Sequence, residues 1–152
     1  MTEPLSFMMG QYQALFPVDR QYSRRHLWLQ SAGTDRWRVG FTAYSVRLLQ
    51  DVYFLEWSID EGARVRDRQE IGEIESAKAV SAMFPPGAGT VIRFNPALLN
   101  DPSGINADPY GTGWLYEFAP DEDLLSAAEY LEYLRLAWED AQRTIKGQMN
   151  EG

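Results

Sequence analysis

The chain has 152 residues, 45% hydrophobic and 13% aromatic, with a net charge of −8 and a pI near 4.6. This is one domain's worth of chain, enough to bury a core without staples, and its acidity argues against nucleic acid, which needs clustered Lys and Arg. The absence of cysteine excludes disulfide frameworks, thiolate metal sites and cysteine nucleophiles, and no run approaches the length of a membrane-spanning helix. Met1 to Gly10 lacks a basic start and a sustained apolar run, so a cytoplasmic setting is expected.

Residues 1–21 carry a short apolar cluster, Leu5, Phe7, Met8 and Met9, that fits either a packed cap or a loose arm. From Arg24 the pattern alternates: His26 and Trp28, then Trp37, Val39 and Phe41, with turn formers from Ser31 to Asp35, predict two antiparallel strands. The single histidine, His26, lacks the company a metal site requires and reads as structural. Thr42 is a plausible N-cap for a short helix to Leu49. A buried strand, Asp51 to Trp57, follows, with Val52, Phe54 and Leu55 as expected core positions, and Asp60-Glu61-Gly62 is a turn.

Val65, Ile71 and Ile74 lead into a predicted hairpin that leaves through Val80, Met83 and Phe84, and Pro85-Pro86-Gly87 ends it. Gly89 to Asn95 is the clearest strand, Pro96 to Leu99 a helical turn with Pro at its first position, and Asp101 to Gly113 a loop. A strand from Trp114 to Phe118 closes the series. Ser126 and Glu129 form a capping-box pair, and Tyr130, Leu134, Trp138, Ala141 and Ile145 recur at helical spacing, so the last helix should lay one stripe on the body. Many short strands with close turns predict an all-β sandwich or barrel with helical additions.

The hairpin tip is unusual. Between Glu75 and Val80 there is no Gly, Asn or Asp, the common tip residues, although a type I turn admits what is there. Of the fourteen cations only Lys78 and Lys146 are lysines. An amine, unlike a guanidinium, is readily acylated, so Lys78 is a candidate modification site, although a solvated hairpin lysine is the plain alternative. Glu73 and Glu75, two apart on one strand, share a face as surface carboxylates. There is no phosphate loop, nucleophile elbow or zinc spacing.

Glu75-Ser76-Ala77-Lys78-Ala79 resembles the lipoyl-attachment motif of the glycine cleavage system H-protein family. Flanking features fall in that family's order: Tyr22, His26, Trp28 and Gly40-Phe41-Thr42 upstream, Gly62 and Gly72 before the lysine, Pro86 and Gly89 after it. Asn95 and the series Asn106, Pro109, Tyr110, Gly113, Trp114 close the pattern. The similarity runs from about Tyr22 to Phe118 and weakly on to the Ala128-Glu129-Tyr130 helix. A biotinyl site would put Met on both sides of the lysine, where Ala77 and Ala79 stand.

The resemblance implies a mainly β fold: a flattened hybrid barrel-sandwich of the lipoyl/biotinyl-carrier kind, with a short internal helix and a C-terminal helix. The corresponding segments are an N-terminal arm or cap (1–21), the carrier barrel (22–120) and the terminal helix (121–152). It further implies a non-catalytic carrier with lipoic acid amide-linked to Lys78, the attachment motif in Glu75, Ser76, Ala77 and Ala79, and a part for Gly62 in recognition by the lipoyl-attaching enzyme. Its partners would be glycine decarboxylase, aminomethyltransferase and dihydrolipoyl dehydrogenase, with no nucleic acid and no membrane.

The chain departs from the family at several places. Leu27 stands where His-Glu-Trp is common, and Ala82 where an acidic residue often follows the lysine. Ala43 and Gln50 replace an acidic residue and a glycine around the short helix, and Arg68 another glycine. The two acidic positions are among those linked in the family to holding the charged aminomethyl group. Three readings therefore stand: a glycine cleavage lipoyl carrier, an H-like lipoate-binding protein of another pathway such as lipoyl relay or sulfur transfer, and an unmodified β-barrel interaction module.

Overall fold

The computed structural model of the chain describes residues 3–151, with side chains described through residue 140. Strand β1 (Leu5–Met9) and strand β2 (Tyr12–Phe16) pair antiparallel about Gly10, whose φ of +64° suits glycine. Met9, Ala14 and Phe16 point inward and are buried while Met8 faces out, so the N-terminal segment is a packed cap. The expected strand pair is β4 (Leu27–Gly33) and β5 (Arg36–Phe41), preceded by the short β3 (Gln21–Tyr22). His26 lies just outside β4 with φ +65°. Thr42 caps α1 (Ala43–Leu49), its hydroxyl accepting from Ser45 N at 3.4 Å.

Strand β6 (Val52–Trp57), β7 (Arg64–Val65), β8 (Gly72–Ser76), β9 (Val80–Met83) and β10 (Gly89–Phe94) follow. Asn95 caps α2 (Pro96–Asn100), and the segment expected to be loop contains a further turn of helix, α3 (Gly104–Ala107), with Ile105 buried against the body. Proline, glycine and asparagine there read as loop, yet one apolar anchor and the backbone bonds from Ala107 N to Ser103 O at 3.1 Å and from Asp108 N to Gly104 O at 3.0 Å suffice for one helical turn. Strand β11 (Tyr116–Pro120) begins two residues later than expected, because Trp114 N and Leu115 N bond to Gly111 O and Val39 O. Helix α4 (Ala127–Glu151) carries the capping box as expected: Glu129 N donates to Ser126 Oγ at 3.2 Å and Ser126 N to Glu129 Oε1 at 2.9 Å.

Two sheets face each other as a sandwich, one ordered β3-β4-β5-β11-β10-β7 and the other β6-β8-β9, and no ladder joins them into a closed barrel among the described residues. Leu29, Val39, Ile71, Ile74, Val91 and Phe118 fill the space between them. A second apolar cluster lies under the β1–β2 cap, where Tyr22, Tyr130 and Leu134 are fully buried. The α4 stripe thus packs on the cap and the β3 edge rather than across the sandwich; Phe7 meets Trp138 edge-on at 6.1 Å. Ala141 and Ile145 of that stripe lie outside the residues whose side chains are described.

One core expectation fails. The β6–β8 register slips between Val52 and Phe54, and this bulge leaves Phe54 39% exposed beside Glu75, with Leu55 only half-buried. A bulge reverses which side a strand residue faces, so simple alternation misplaces it.

Candidate functional site

Strands β6, β8 and β9 make a finger whose tip is Ala77-Lys78-Ala79, all three exposed. None of them has positive φ, so the turn is held by hydrogen bonds rather than by glycine. Ser76 supplies them. It is buried, and its Oγ accepts from Lys78 N and Ala79 N, each at 3.3 Å, and donates to Ala79 O at 3.4 Å. Ser76 N donates to the same carbonyl at 2.9 Å.

The tip is also tied to the body. Ala77 N donates to Asp51 O at 2.9 Å, and the residues on either side of Asp51 are gripped by one amide. Asn106 Oδ1 accepts from Val52 N at 2.9 Å while its Nδ2 donates to Gln50 O at 2.6 Å. A residue of the closing signature, 28 positions beyond Lys78, therefore fixes the base against which the tip leans. The result is a stiff turn presenting one long side chain: Lys78 is exposed, and among the described residues nothing is recorded in hydrogen-bond or ion-pair contact with its Nζ.

Around that amine, the outward face of the finger mixes carboxylates with apolar side chains. Glu73 and Glu75 do share this face; Glu56 stands directly across from Glu73, and Phe54 and Val80 flank Glu75. Tyr53 and Val80 are about 60% and 61% exposed. Gly72 at the finger's root admits no side chain, since a Cβ would run into Glu56 O and the Trp57 ring. Gly62, with φ +88°, shapes the turn after β6. That turn follows the end of β6 remote from the tip, because Val52 pairs with Ser76 and Trp57 with Gly72. Gly62 is thus not brought together with Lys78, whereas Glu75, Ser76, Ala77 and Ala79 are.

His26 is structural in its contacts. Its Nδ1 shares a hydrogen bond with the Tyr130 hydroxyl at 2.8 Å, its ring lies 4.6 Å from that of Tyr44, and burial pushes its pKa down to about 4.

Sequence reasoning missed a cavity of about 230 Å³ beside the finger, between α1 and the β8–β9 hairpin. Ile74 and Met83 line it from the finger, Leu27 and Phe41 from the large sheet, and Ala82 stands at its edge. Of the three family departures that remove an acidic residue, Leu27 and Ala82 fall here and Ala43 does not, and among the described residues no Asp or Glu lines the cavity. Among the described residues the one charged group on the lining, Arg25, lies over the Phe84 ring at 5.1 Å and reaches Asp67 at 3.4 Å. Tyr116 also lines the cavity; its hydroxyl is buried, lacks a hydrogen-bond partner, and is pushed by that burial to a higher pKa. The available signal was a hydroxyl at an inward strand position.

A β-sandwich that presents an exposed lysine at the tip of a braced hairpin has the form of a cofactor-carrier domain. The model of the glycine cleavage H-protein family matches residues 20–142. A glycine cleavage system H protein of Beutenbergia cavernae is 41% identical over 116 residues, covering 75% of this chain and 92% of that one. That of Bifidobacterium longum is 40% identical over 122 residues, 78% and 88%. The crystal structure of a glycine cleavage system H protein from Mycobacterium marinum superposes with a TM-score of 0.66 at 36% identity, covering 76% of this chain and 95% of that one.

The chain belongs to the glycine cleavage H-protein family. It is a non-catalytic carrier of covalently attached lipoate within the glycine cleavage system, and it acts with that system's other components. No described helix is long and apolar enough to cross a membrane.

Proposed function

We propose that Lys78 is the residue whose Nζ forms the amide with lipoic acid, within the motif Glu75-Ser76-Ala77-Lys78-Ala79. The proteins that meet it are a lipoyl-attaching enzyme, glycine decarboxylase, aminomethyltransferase and dihydrolipoyl dehydrogenase, in the cytoplasm. The observation that carries this reading is the tip: the motif's lysine is exposed, its amine unengaged by any described residue, and the turn beneath it is locked by Ser76.

The residues present fit the group. An acylating enzyme needs an accessible amine, and among the described residues no ion pair has to be broken for the amide to form there. When bound, lipoate supplies a reducible disulfide that carries a one-carbon amine between enzymes. The chain's own work is positional. Ser76 and the Asn106 clamp keep the turn fixed, so that the arm departs from one defined point and its effective concentration at a docked partner is high. Glu56, Glu73 and Glu75 give the finger an acidic field suited to basic docking faces, and Phe54 and Val80 offer the apolar contact that follows encounter. Gly62 permits the chain reversal behind the finger.

The test is intact mass of the full chain co-expressed with a lipoate-attaching enzyme. The wild type and Lys146→Arg are expected to gain one lipoyl increment and Lys78→Arg none; an increment that survives in Lys78→Arg sinks the assignment. Glycine-dependent bicarbonate exchange with glycine decarboxylase then tests the partner, with the unmodified chain as the inactive control.

A further inference from the structure

We propose that the β1–β2 hairpin is a self-association element: the free edge of β1 pairs antiparallel with β1 of a second copy of this chain about a two-fold axis. The hairpin precedes residue 20, where the match to the family model begins, so it is an addition to the matched body. Strand β1 packs chiefly on β2 and α4, which take no part in the finger, and the inference stands apart from the assignment of Lys78.

The edge is open. Strands β1 and β2 form a sheet of their own. In an antiparallel ladder, residues whose main chain faces the partner strand alternate with residues whose main chain faces away. Tyr110 donates to Leu15 O at 2.6 Å from outside the hairpin, so Leu15 faces away from β1; its opposite number Ser6, and Met8 two residues on, therefore face away from β2. The Leu15 edge is engaged by Tyr110, whereas among the described residues no hydrogen bond reaches the Ser6 or Met8 main chain from outside the hairpin. Strand β1 also lacks the usual means of closing an edge: within Leu5–Met9 there is no charge and no proline, and the register runs without a bulge.

Charge and symmetry name the occupant. The chain carries a net −8, yet the stretch from Leu5 to Phe16 holds no acidic or basic side chain, so two copies can abut here without bringing like charges into contact. The edge is also self-complementary. With Phe7 opposite Phe7 of the second copy on the axis, Ser6 faces Met8 in both directions, and each such pair exchanges both its N–H to O bonds. On the outer face Met8, 51% exposed, then meets its own counterpart diagonally across the axis. A ribbon of two strands becomes part of a wider sheet and gains support that two strands by themselves lack. One strand edge is small beside a standard interface, so the dimer forms only as concentration rises.

The experiment is sedimentation equilibrium of the full chain up to about 1 mM, which reaches dissociation constants of that order, with amide hydrogen exchange at both ends of the range. The mass is expected to rise towards two chains, and exchange at Ser6 and Met8 to slow with it, while the Phe7 amide, already bonded within the hairpin, does not change. Ser6→Pro removes an outward donor without touching the β1–β2 ladder, and Met8→Lys sets like charges across the axis; both variants are expected to stay single. Met8→Lys makes the chain less negative, so a general relief of repulsion would favour association where the inference requires its loss. An equal mixture of Met8→Lys and Met8→Glu is expected to pair again, which also shows that both are folded.

A wild-type chain that stays single at about 1 mM overturns the inference, whatever other strand the edge would accept. So does a dimer whose Ser6 and Met8 amides exchange as fast as in the single chain, because another surface then holds it. Pairing of Ser6→Pro or Met8→Lys to the wild-type extent, or a mixture of the two Met8 variants that stays single, has the same force. Single and paired chains alike are expected to take a lipoyl increment on Lys78; its absence counts against the attachment assignment and leaves the β1 contact in place.

Discussion

The capped end of the molecule and the lysine finger treat their polar and apolar groups in opposite ways. Under the cap, hydroxyls and ring nitrogens buried among the aromatics find partners. Tyr22 donates to Pro17 O at 2.5 Å, Trp28 Nε1 to Pro109 O at 2.9 Å, and Tyr110 to Leu15 O at 2.6 Å; the Tyr130 hydroxyl lies between His26 Nδ1 and Thr42 Oγ1. On the finger, two glutamates stand opposite each other, three large apolar side chains face out, and the hydroxyl beneath has no partner. Like charges across a ladder and unpaired buried donors both reduce stability. The contrast shows where the fold is secured and where it is left available: the cap holds the frame, and the finger keeps features whose use is encounter with other proteins.

The largest expected effect breaks the capped end. Tyr130 stacks on Tyr22 at 4.9 Å with the planes 7° apart and meets Phe16 edge-on at 5.4 Å. Tyr130→Ala should cost about 3–5 kcal/mol by urea denaturation. Phe54→Ala on the finger's outer face should cost far less, and comparable losses at the two sites would erase the contrast. Next comes pH. His26 has a folded pKa of about 4 because burial disfavours the charged ring, against about 6.5 unfolded. The unfolded chain therefore binds the proton first, so this stabilisation is complete above the unfolded value and is lost as pH falls from about 6.5 towards 4, about 3 kcal/mol in all. His26→Asn, which tolerates the positive φ, should flatten that slope. Glu117, its carboxyl held below the ordinary range by hydrogen bonds from Arg93, gives a loss of the same sign at lower pH still.

Periodicity and capping carried most of the frame. Thr42, Pro96 and the Ser126–Glu129 pair announce their helices because a helix start is a local event, and Trp37, Val39 and Phe41 share the inward face because a regular strand keeps its parity. Phe54 was misplaced because a bulge is a matter between two strands, not within one. The N-terminal cap stayed ambiguous because a hairpin of five-residue strands gains its stability from α4, more than a hundred positions away. At the site, the lysine and its motif were legible as short-range pattern. The Asn106 clamp, the remoteness of Gly62 and the cavity all depend on which strands lie side by side, and no local spacing encodes that.

Two smaller effects sharpen the contrast at the finger's base and tip. Gln50 has φ +60° and ψ −146°, a region that glycine alone occupies readily, and it stands where the family commonly has glycine. Releasing that strain, less glycine's greater entropy when unfolded, should make Gln50→Gly more stable by about 1 kcal/mol, read as a higher urea midpoint at constant slope.

Ser76→Ala works the other way and locally. It removes the oxygen that accepts from Lys78 N and Ala79 N, leaving both amides to water at an exposed turn, so the loss should be about 1 kcal/mol or less and the cap should not sense it. Hydrogen exchange should quicken at Lys78 and Ala79 while the amides of α4's first turns stay unchanged, and lipoylation should slow although the lysine remains. If exchange instead rises throughout, the tip is coupled to the frame. The finger would then be part of what holds the molecule together rather than a presenter mounted upon it.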